Sequence, residues 1–384
     1  MERIGKFLRD REEKRLLRVL RPARFRKEGK IYFKDKSFID FSSNDYLGLS
    51  GHPKIKEAAE KSITALGTSS SASRLLSGDL NIHHELEKRI ASFKEKEDAL
   101  LFNSGYQANV GIISSLLRKG DAVFSDKLNH ASIIDGMLLS GAKIFRFRHN
   151  DTEHLEFLLK SQRNNYKDSL IVTETVFSME GDKPPLGELV FLKEKYSSML
   201  LVDEAHATGV FGEKGKGVVE EAGMAGRIEL IMGTFGKAMG SFGAYVACSS
   251  ELKKYFVNSA RSFIYSTSLP PSIIGANLAG LDLIEEEPFR RSTLLRNSDY
   301  FRQELGKRGF SARGTSQIVP LIFGDSEKAA KISRDLQKEG YWVLPIRPPT
   351  IPEGEARLRF SLTYHHTKDM LEKLIDDISK VSHV

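Results

Sequence analysis

A single cysteine, Cys248, stands in 384 residues, so no disulfide can close within one chain. That usage fits a reducing compartment, and a cytoplasmic location is the expectation. No apolar run approaches the roughly 18 residues that a membrane-spanning helix needs. A secretory h-region is also missing near Met1, and Asp10, Glu12 and Glu13 argue against a mitochondrial transit peptide, which is poor in acids. The formal net charge is +7, yet the basic residues are dispersed and form no dense tract with interleaved aromatics. Nucleic-acid binding is therefore not expected, whereas small phosphate-rich ligands would gain from the charge. Metal-ligand spacing is absent too: His83-His84 and His365-His366 are adjacent pairs, and His84-Glu-Leu-Glu-Lys88 lacks the second histidine of a zinc helix. There is no internal repeat and no low-complexity tract.

What remains is a chain with 40% hydrophobic and 28% charged residues, long enough for a large core. Short apolar runs alternate with helical patterns between residues 98 and 250, with strands expected at Ala99–Asn103, Ala122–Ser125, Lys143–Arg146, Leu170–Glu174, Leu200–Asp203, Leu230–Gly233 and Ala244–Cys248. Continuous Val, Ile and Leu runs suit a mostly parallel sheet covered on both faces, an α/β fold. Helices are expected at Tyr106–Arg118, at His154–Gln162 and from Pro271 through Leu283. Later strands at Ile318–Phe323, Tyr341–Leu344 and Arg357–Ser361, with helices at Glu327–Glu339 and Lys368–Ser382, predict a smaller α+β unit. The expected division is an N-terminal helical or extended segment over 1–45, a large domain over 46–283 and a small domain over 284–384. Phe7–Arg21 reads as a charged amphipathic helix packed on the body or on a partner subunit.

The chemistry begins at Lys237. The apolar run from Ile228 breaks at glycine and ends in this lysine, followed by the small residues of Ala238-Met-Gly-Ser-Phe-Gly-Ala244. A lysine held there is partly desolvated, which favours the neutral, nucleophilic amine. A Walker A phosphate loop would need glycine at 231 and Ser or Thr at 238; Ile231 and Ala238 stand there instead. Upstream, Leu200-Leu-Val-Asp-Glu-Ala-His206 ends a strand in Asp203 and His206. Asp203 alone reads as a helix cap. Paired with Lys237 it reads as pyridoxal phosphate (PLP) chemistry, a lysine Schiff base with an aspartate facing the pyridinium nitrogen.

Ligands in open α/β sheets gather at the carboxyl ends of strands, where further polar residues fall. Asn103-Ser-Gly-Tyr-Gln-Ala-Asn109 offers a helix start at Gly105 and Tyr106 for a phosphate. Asp126-Lys-Leu-Asn-His130 offers an imidazole to stack on the ring. Ser178 lies beyond another strand, and Thr234 can donate to the phosphate. Tyr265–Pro271 reads equally as a phosphate contact and as a proline-led cap. Arg347, Thr350, Arg357 and Arg359 sit in the tail, and one arginine is expected to clamp a carboxylate with its planar fork.

Phe41-Ser-Ser-Asn-Asp-Tyr-Leu-Gly-Leu49, Asn103-Ser-Gly-Tyr106, Asn129-His-Ala-Ser132, Val176–Asp182, Val202-Asp-Glu-Ala-His206 and Thr234-Phe-Gly-Lys237 together resemble the α-oxoamine synthases. These are PLP-dependent enzymes of aminotransferase fold type I, and the resemblance covers nearly the whole chain. It implies a homodimer and a decarboxylative condensation of an amino acid with an acyl thioester. It also implies residue roles: Lys237 as the Schiff-base lysine and base, Asp203 on the pyridinium, and His130 stacked on the ring. Gly105, Tyr106 and Thr234 would hold the cofactor, Ser178 and His206 would contact its ring oxygen, Arg359 would bind the amino-acid carboxylate, and Arg21 and Thr350 would lie near the substrates. Ser73–Gly78, the Thr234–Ala244 loop and Ile346-Arg-Pro-Pro-Thr-Ile-Pro352 resemble the biotin-biosynthesis branch, which joins L-alanine to a pimeloyl group carried on coenzyme A or acyl carrier protein. Leu128–Gly136 is also similar to the sister branch that joins glycine to acetyl-CoA. A non-catalytic regulatory subunit of this fold is disfavoured by the intact Lys237, Asp203 and His206.

Overall fold

The computed structural model describes residues 1–14 and 16–382. Its centre is a seven-stranded sheet, ordered Asp98–Phe102, Ala244–Cys248, Leu230–Thr234, Met199–Asp203, Ser169–Glu174, Ala122–Asp126, Lys143–Phe147. Only Ala244–Cys248 runs against its neighbours; the remaining pairs are parallel. Side chains alternate across the pleat, so Leu200, Val202 and Ile231 enter the core on one face while Leu201, Leu230 and Met232 enter that on the other. Both faces are covered by helices, which explains why these strands read as unbroken apolar runs. All seven expected strands are present, within one residue of the expected bounds at every end.

The helices Gly105–Leu116, Thr152–Gln162 and Pro271–Glu286 also match expectation, and Pro271 occupies the first helical turn, where a missing N–H is harmless. Three elements differ. The N-terminal helix spans Glu2–Glu13 rather than Phe7–Arg21 and buries none of its residues. Of the expected strand Tyr341–Leu344 only Tyr341–Trp342 forms, paired in parallel with Lys36–Asp40; Val343 and Leu344 leave that sheet, and Pro345–Ile346, beyond the expected bounds, pairs with Ala356–Ser361 in another. Pro345 cannot donate to a ladder, which suits an edge position after the crossover. A long helix, Phe289–Lys307, fills the charged stretch for which only a change of composition was foreseen. Among the described residues no helix is long and apolar enough to cross a membrane.

Below the sheet, Lys94 and Glu204 form a buried ion pair of 2.6 Å, both side chains almost inaccessible. Lys94 Nζ also donates to Thr208 Oγ1 at 2.9 Å and to the Lys216 carbonyl, while Glu204 accepts from Val219 N–H at 2.9 Å. The network fixes the turn that follows Asp203. Lys94→Met would strand a buried carboxylate, and removing one partner of a buried ion pair typically costs about 3–5 kcal/mol. Denaturant melts of the holoenzyme should show it as a lower midpoint, largely restored by adding Glu204→Gln. An unchanged midpoint for Lys94→Met would show that the pair does not hold this turn.

Candidate active site

At the carboxyl ends of the parallel strands lies a cavity of about 360 Å³. Gly105, Tyr106, His130, Asp203, His206, Thr234 and Lys237 all line it, so seven of the expected residues, drawn from four strand ends, meet in one place. Lys237 Nζ is 3.0 Å from His206 Nε2, and His206 Nδ1 is 2.6 Å from the Tyr46 hydroxyl. One proton arrangement satisfies the whole row: Lys237 donates to Nε2, Nδ1–H donates to Tyr46 Oη, and Tyr46 donates to Asn44 Oδ1 at 3.2 Å. Burial, with the charges of Lys237 and Arg359 adding to it, drives His206 well below the usual imidazole range, so its ring is neutral at pH 7.

Burial also lowers Lys237, to about 8, against the opposing pull of the Asp203 and Glu174 carboxylates. A substantial neutral-amine fraction is therefore present at neutral to mildly alkaline pH. Asp203 ends its strand and accepts from Asn109 Nδ2 at 2.9 Å and from Ala205 N–H at 2.9 Å. Asn109 in turn donates to Ser132 Oγ, which lies 2.8 Å from His130 Nδ1. The adjacent strand ends in Glu174, in register with Asp203. Burial first, and the Asp203 charge second, raise the Glu174 carboxyl well above the carboxylate range, with Lys237 opposing. Two carboxylates side by side at the cavity floor cannot both ionise cheaply, so the proton rests on Glu174.

Several features fit a phosphorylated pyridine cofactor. Thr234 Oγ1 is buried with no hydrogen-bond partner among the described residues. Gly105 opens the helix Gly105–Leu116; Ser104 Oγ caps the Gln107 N–H, while the N–H groups of Gly105 and Tyr106 find no partner among the described residues and can face an anion. A Cβ on Gly105 would stand 2.8 Å from Thr234 Cγ2, so glycine keeps that cradle open. A reactive amine, a carboxylate and an imidazole around the same space supply the other contacts that PLP requires.

The remaining expected residues are placed outside the cavity wall. Ser178 donates its N–H to Glu174, and its carbonyl accepts from Arg359 Nε at 2.5 Å. Arg359 is 9% exposed and donates to Ser361 Oγ and Asn44 Oδ1. No described carboxylate neutralises it, whereas Arg357 is spent on Glu180 and Glu355. Arg21 lies 5.7 Å from the Trp342 ring, in a separate groove that Arg347 also lines. Thr350 is exposed and accepts from Arg18. Ser266 and Ser268 bond to Ser262, Ala72 and Gly78 within the chain. Sequence reasoning missed Asn44, Tyr46, Asn109 and Glu174. Glu174 carried a signal, since it ends a buried strand as Asp203 does; nothing local ties Tyr46 to His206, 160 positions away.

Residues 36–378 match the family model for class I and II aminotransferases. The chain belongs to that family. Within the family, an 8-amino-7-oxononanoate synthase from Geotalea daltonii is 44% identical over 384 residues, covering 99% of this chain and 98% of its own length. A serine palmitoyltransferase structure from Sphingomonas wittichii superposes with a TM-score of 0.93 at 30% identity, covering 99% of this chain and 97% of that one. An 8-amino-7-oxononanoate synthase structure from Francisella tularensis gives 0.77 at 32% identity, over 89% and 97% respectively. The fold is therefore aminotransferase fold type I, as the sequence motifs implied.

Proposed function

We infer that this chain carries out the reaction of the 8-amino-7-oxononanoate synthases. L-Alanine and a pimeloyl thioester condense, releasing the carrier thiol and CO₂, to give 8-amino-7-oxononanoate for biotin synthesis. The observation that carries this reading is the Lys237 amine beside His206, in one cavity with Asp203, in a chain matched end to end by those enzymes.

PLP, when bound, supplies an electron sink for the pair left on the amino acid's α-carbon. Lys237 is the residue to hold it covalently and Asp203 to face its ring nitrogen. Thr234 and the helix start at Gly105 and Tyr106 take the phosphate, and His130 covers the ring. Ser178 and His206 are assigned to the ring oxygen. Arg359, a buried cation without a carboxylate partner, is the group to receive alanine's carboxylate. With alanine in the site and its own amine free, Lys237 Nζ would take the α-proton. It retains that proton while the α-carbon bonds to the thioester carbonyl, the carrier leaves as its thiolate, to be protonated by solvent, and the carboxyl departs as CO₂. It then returns a proton to the α-carbon. His206, held by Tyr46, keeps the amine aimed during both transfers.

Arg21 and Thr350 are proposed to meet the acyl donor, on coenzyme A or on acyl carrier protein. Tyr106 and Phe242 line the cavity yet remain 48% and 52% exposed, which supports a homodimer in which the second copy covers this rim. The superposition on serine palmitoyltransferase favours a second reading, a sister synthase with another amino acid and acyl group.

The deciding test is thiol release by PLP-loaded protein, with L-alanine, glycine or L-serine crossed against pimeloyl-CoA, acetyl-CoA or palmitoyl-CoA. Release with alanine and pimeloyl-CoA alone is expected. Release with glycine and acetyl-CoA, or with serine and palmitoyl-CoA, would move the chain to a sister branch.

A further inference from the structure

His149 lies outside the cavity, at the end of the edge strand Lys143–Phe147, and joins two carboxylates through its two ring nitrogens. Nδ1 is 3.1 Å from both oxygens of Asp126, and Nε2 is 3.0 Å from Asp182 Oδ2. Carboxylates only accept, so both ring nitrogens must carry a proton for both contacts to be favourable. Asp126 is buried and accepts from Leu128 N–H at 2.8 Å and Asn150 N–H at 2.9 Å. Asp182 accepts from Asn150 Nδ2 at 3.2 Å, and its carbonyl takes the Phe177 N–H at 3.0 Å. The imidazole also stands edge-on to the Phe177 ring, with centroids 4.4 Å apart.

Asp126 stands four residues before His130, and Asp182 four residues after Ser178. The hub thus ties together the loops after three neighbouring parallel strands, two of which carry residues assigned to the cofactor. We propose that His149, as an imidazolium between Asp126 and Asp182, is a positioning residue that sets the His130 loop against the Ser178 loop. This rests on the cofactor-site reading above. The other charges on these loops are spent elsewhere or face solvent: Arg148 pairs with Asp151, Lys183 with Glu221 and Glu180 with Arg357, while Lys127 is exposed.

Burial alone would depress His149, but the hydrogen bonds and charges of Asp126 and Asp182 outweigh it and carry the ring from 6.5 up to about 9. A folded-state value above the unfolded one means that the stabilisation is complete below about pH 6.5 and is lost as pH rises through about 9. The hub should therefore hold at neutral pH and loosen in alkali.

His149→Gln and Asp182→Asn would test this, the first replacing the two charged donor nitrogens of the ring by one neutral amide nitrogen, the second removing the charge of the outer carboxylate. Three readouts are needed: PLP retention by visible absorbance, kcat/KM for alanine, and the melting temperature of cofactor-free protein, each from pH 6 to 10. Both variants should lose PLP faster and drop kcat/KM by about 10- to 100-fold at pH 7, the scale of a small misplacement of reacting groups. The wild-type decline in PLP retention near pH 9 should flatten in both. Lower melting temperatures with unchanged PLP retention, kcat/KM and alkaline decline would overturn the proposal, leaving His149 a structural residue only. If wild-type protein took up no PLP, the cofactor reading would fail, while the melting curves against pH would still test the hub.

Discussion

Lys237→Ala is expected to lose turnover by on the order of 10⁴-fold or more, because the proposed mechanism uses this one side chain as both covalent anchor and proton carrier. The environment explains why this amine can do both. Burial brings it to about 8, and His206 Nε2, 3.0 Å away, gives its proton a place to point. Because the shift is downward, the neutral amine dominates above pH 8 and the ammonium below. Capture of added PLP by cofactor-free wild-type protein should therefore quicken as pH rises through about 8. In the variant, borohydride treatment should fix no PLP to the protein at this site. A variant that keeps turnover within tenfold of wild type would remove Lys237 from the mechanism.

Arg359→Ala is expected to raise the KM for alanine by about 10²- to 10³-fold, with a smaller effect on kcat, in line with the 2–5 kcal/mol typical of truncating one partner of a buried charge pair. The prediction rests on a contrast within one strand. Arg357 faces Glu180 and Glu355 and is already neutralised, whereas among the described residues Arg359 donates to a carbonyl, a hydroxyl and an amide oxygen and to no carboxylate. A buried guanidinium left without a carboxylate is a site prepared for one. Arg359→Lys should recover part of the loss, since it restores the charge but not the planar fork. Steady-state kinetics with alanine varied at saturating thioester would check this, and an unchanged KM for alanine in Arg359→Ala would exclude the contact.

Asp203, Thr234 and Lys237 were legible because a strand's end is marked in the sequence itself, where an apolar run stops; Glu174 bears the same mark and was passed over. The loops after those strands gave up His130, Gly105 and Tyr106 for the same reason. Tyr46 and Asn44 are a different case. They complete the proton row through His206 from a segment far away in the chain, and their positions depend on how that segment packs. Tyr341–Leu344 shows the same limit in the fold, since an apolar tetrad does not reveal that its pairing stops at Trp342 and that the chain joins another sheet at Pro345. The N-terminal helix was misplaced because its amphipathic pattern meets no buried face in the single chain.

The sequence by itself determined the sheet, its two-sided burial and most of the polar residues at its carboxyl edge, because hydrophobic periodicity and strand ends are local properties. It also indicated the lysine and aspartate chemistry and, by motif, the enzyme family. Only the tertiary structure decided which polar groups share one space. It put Glu174 beside Asp203 and moved the proton onto it, left Arg359 rather than Arg357 without a counter-ion, and closed His149 onto two loops. Those outcomes follow from desolvation and charge at distances of a few ångströms, between residues that no spacing in the chain relates.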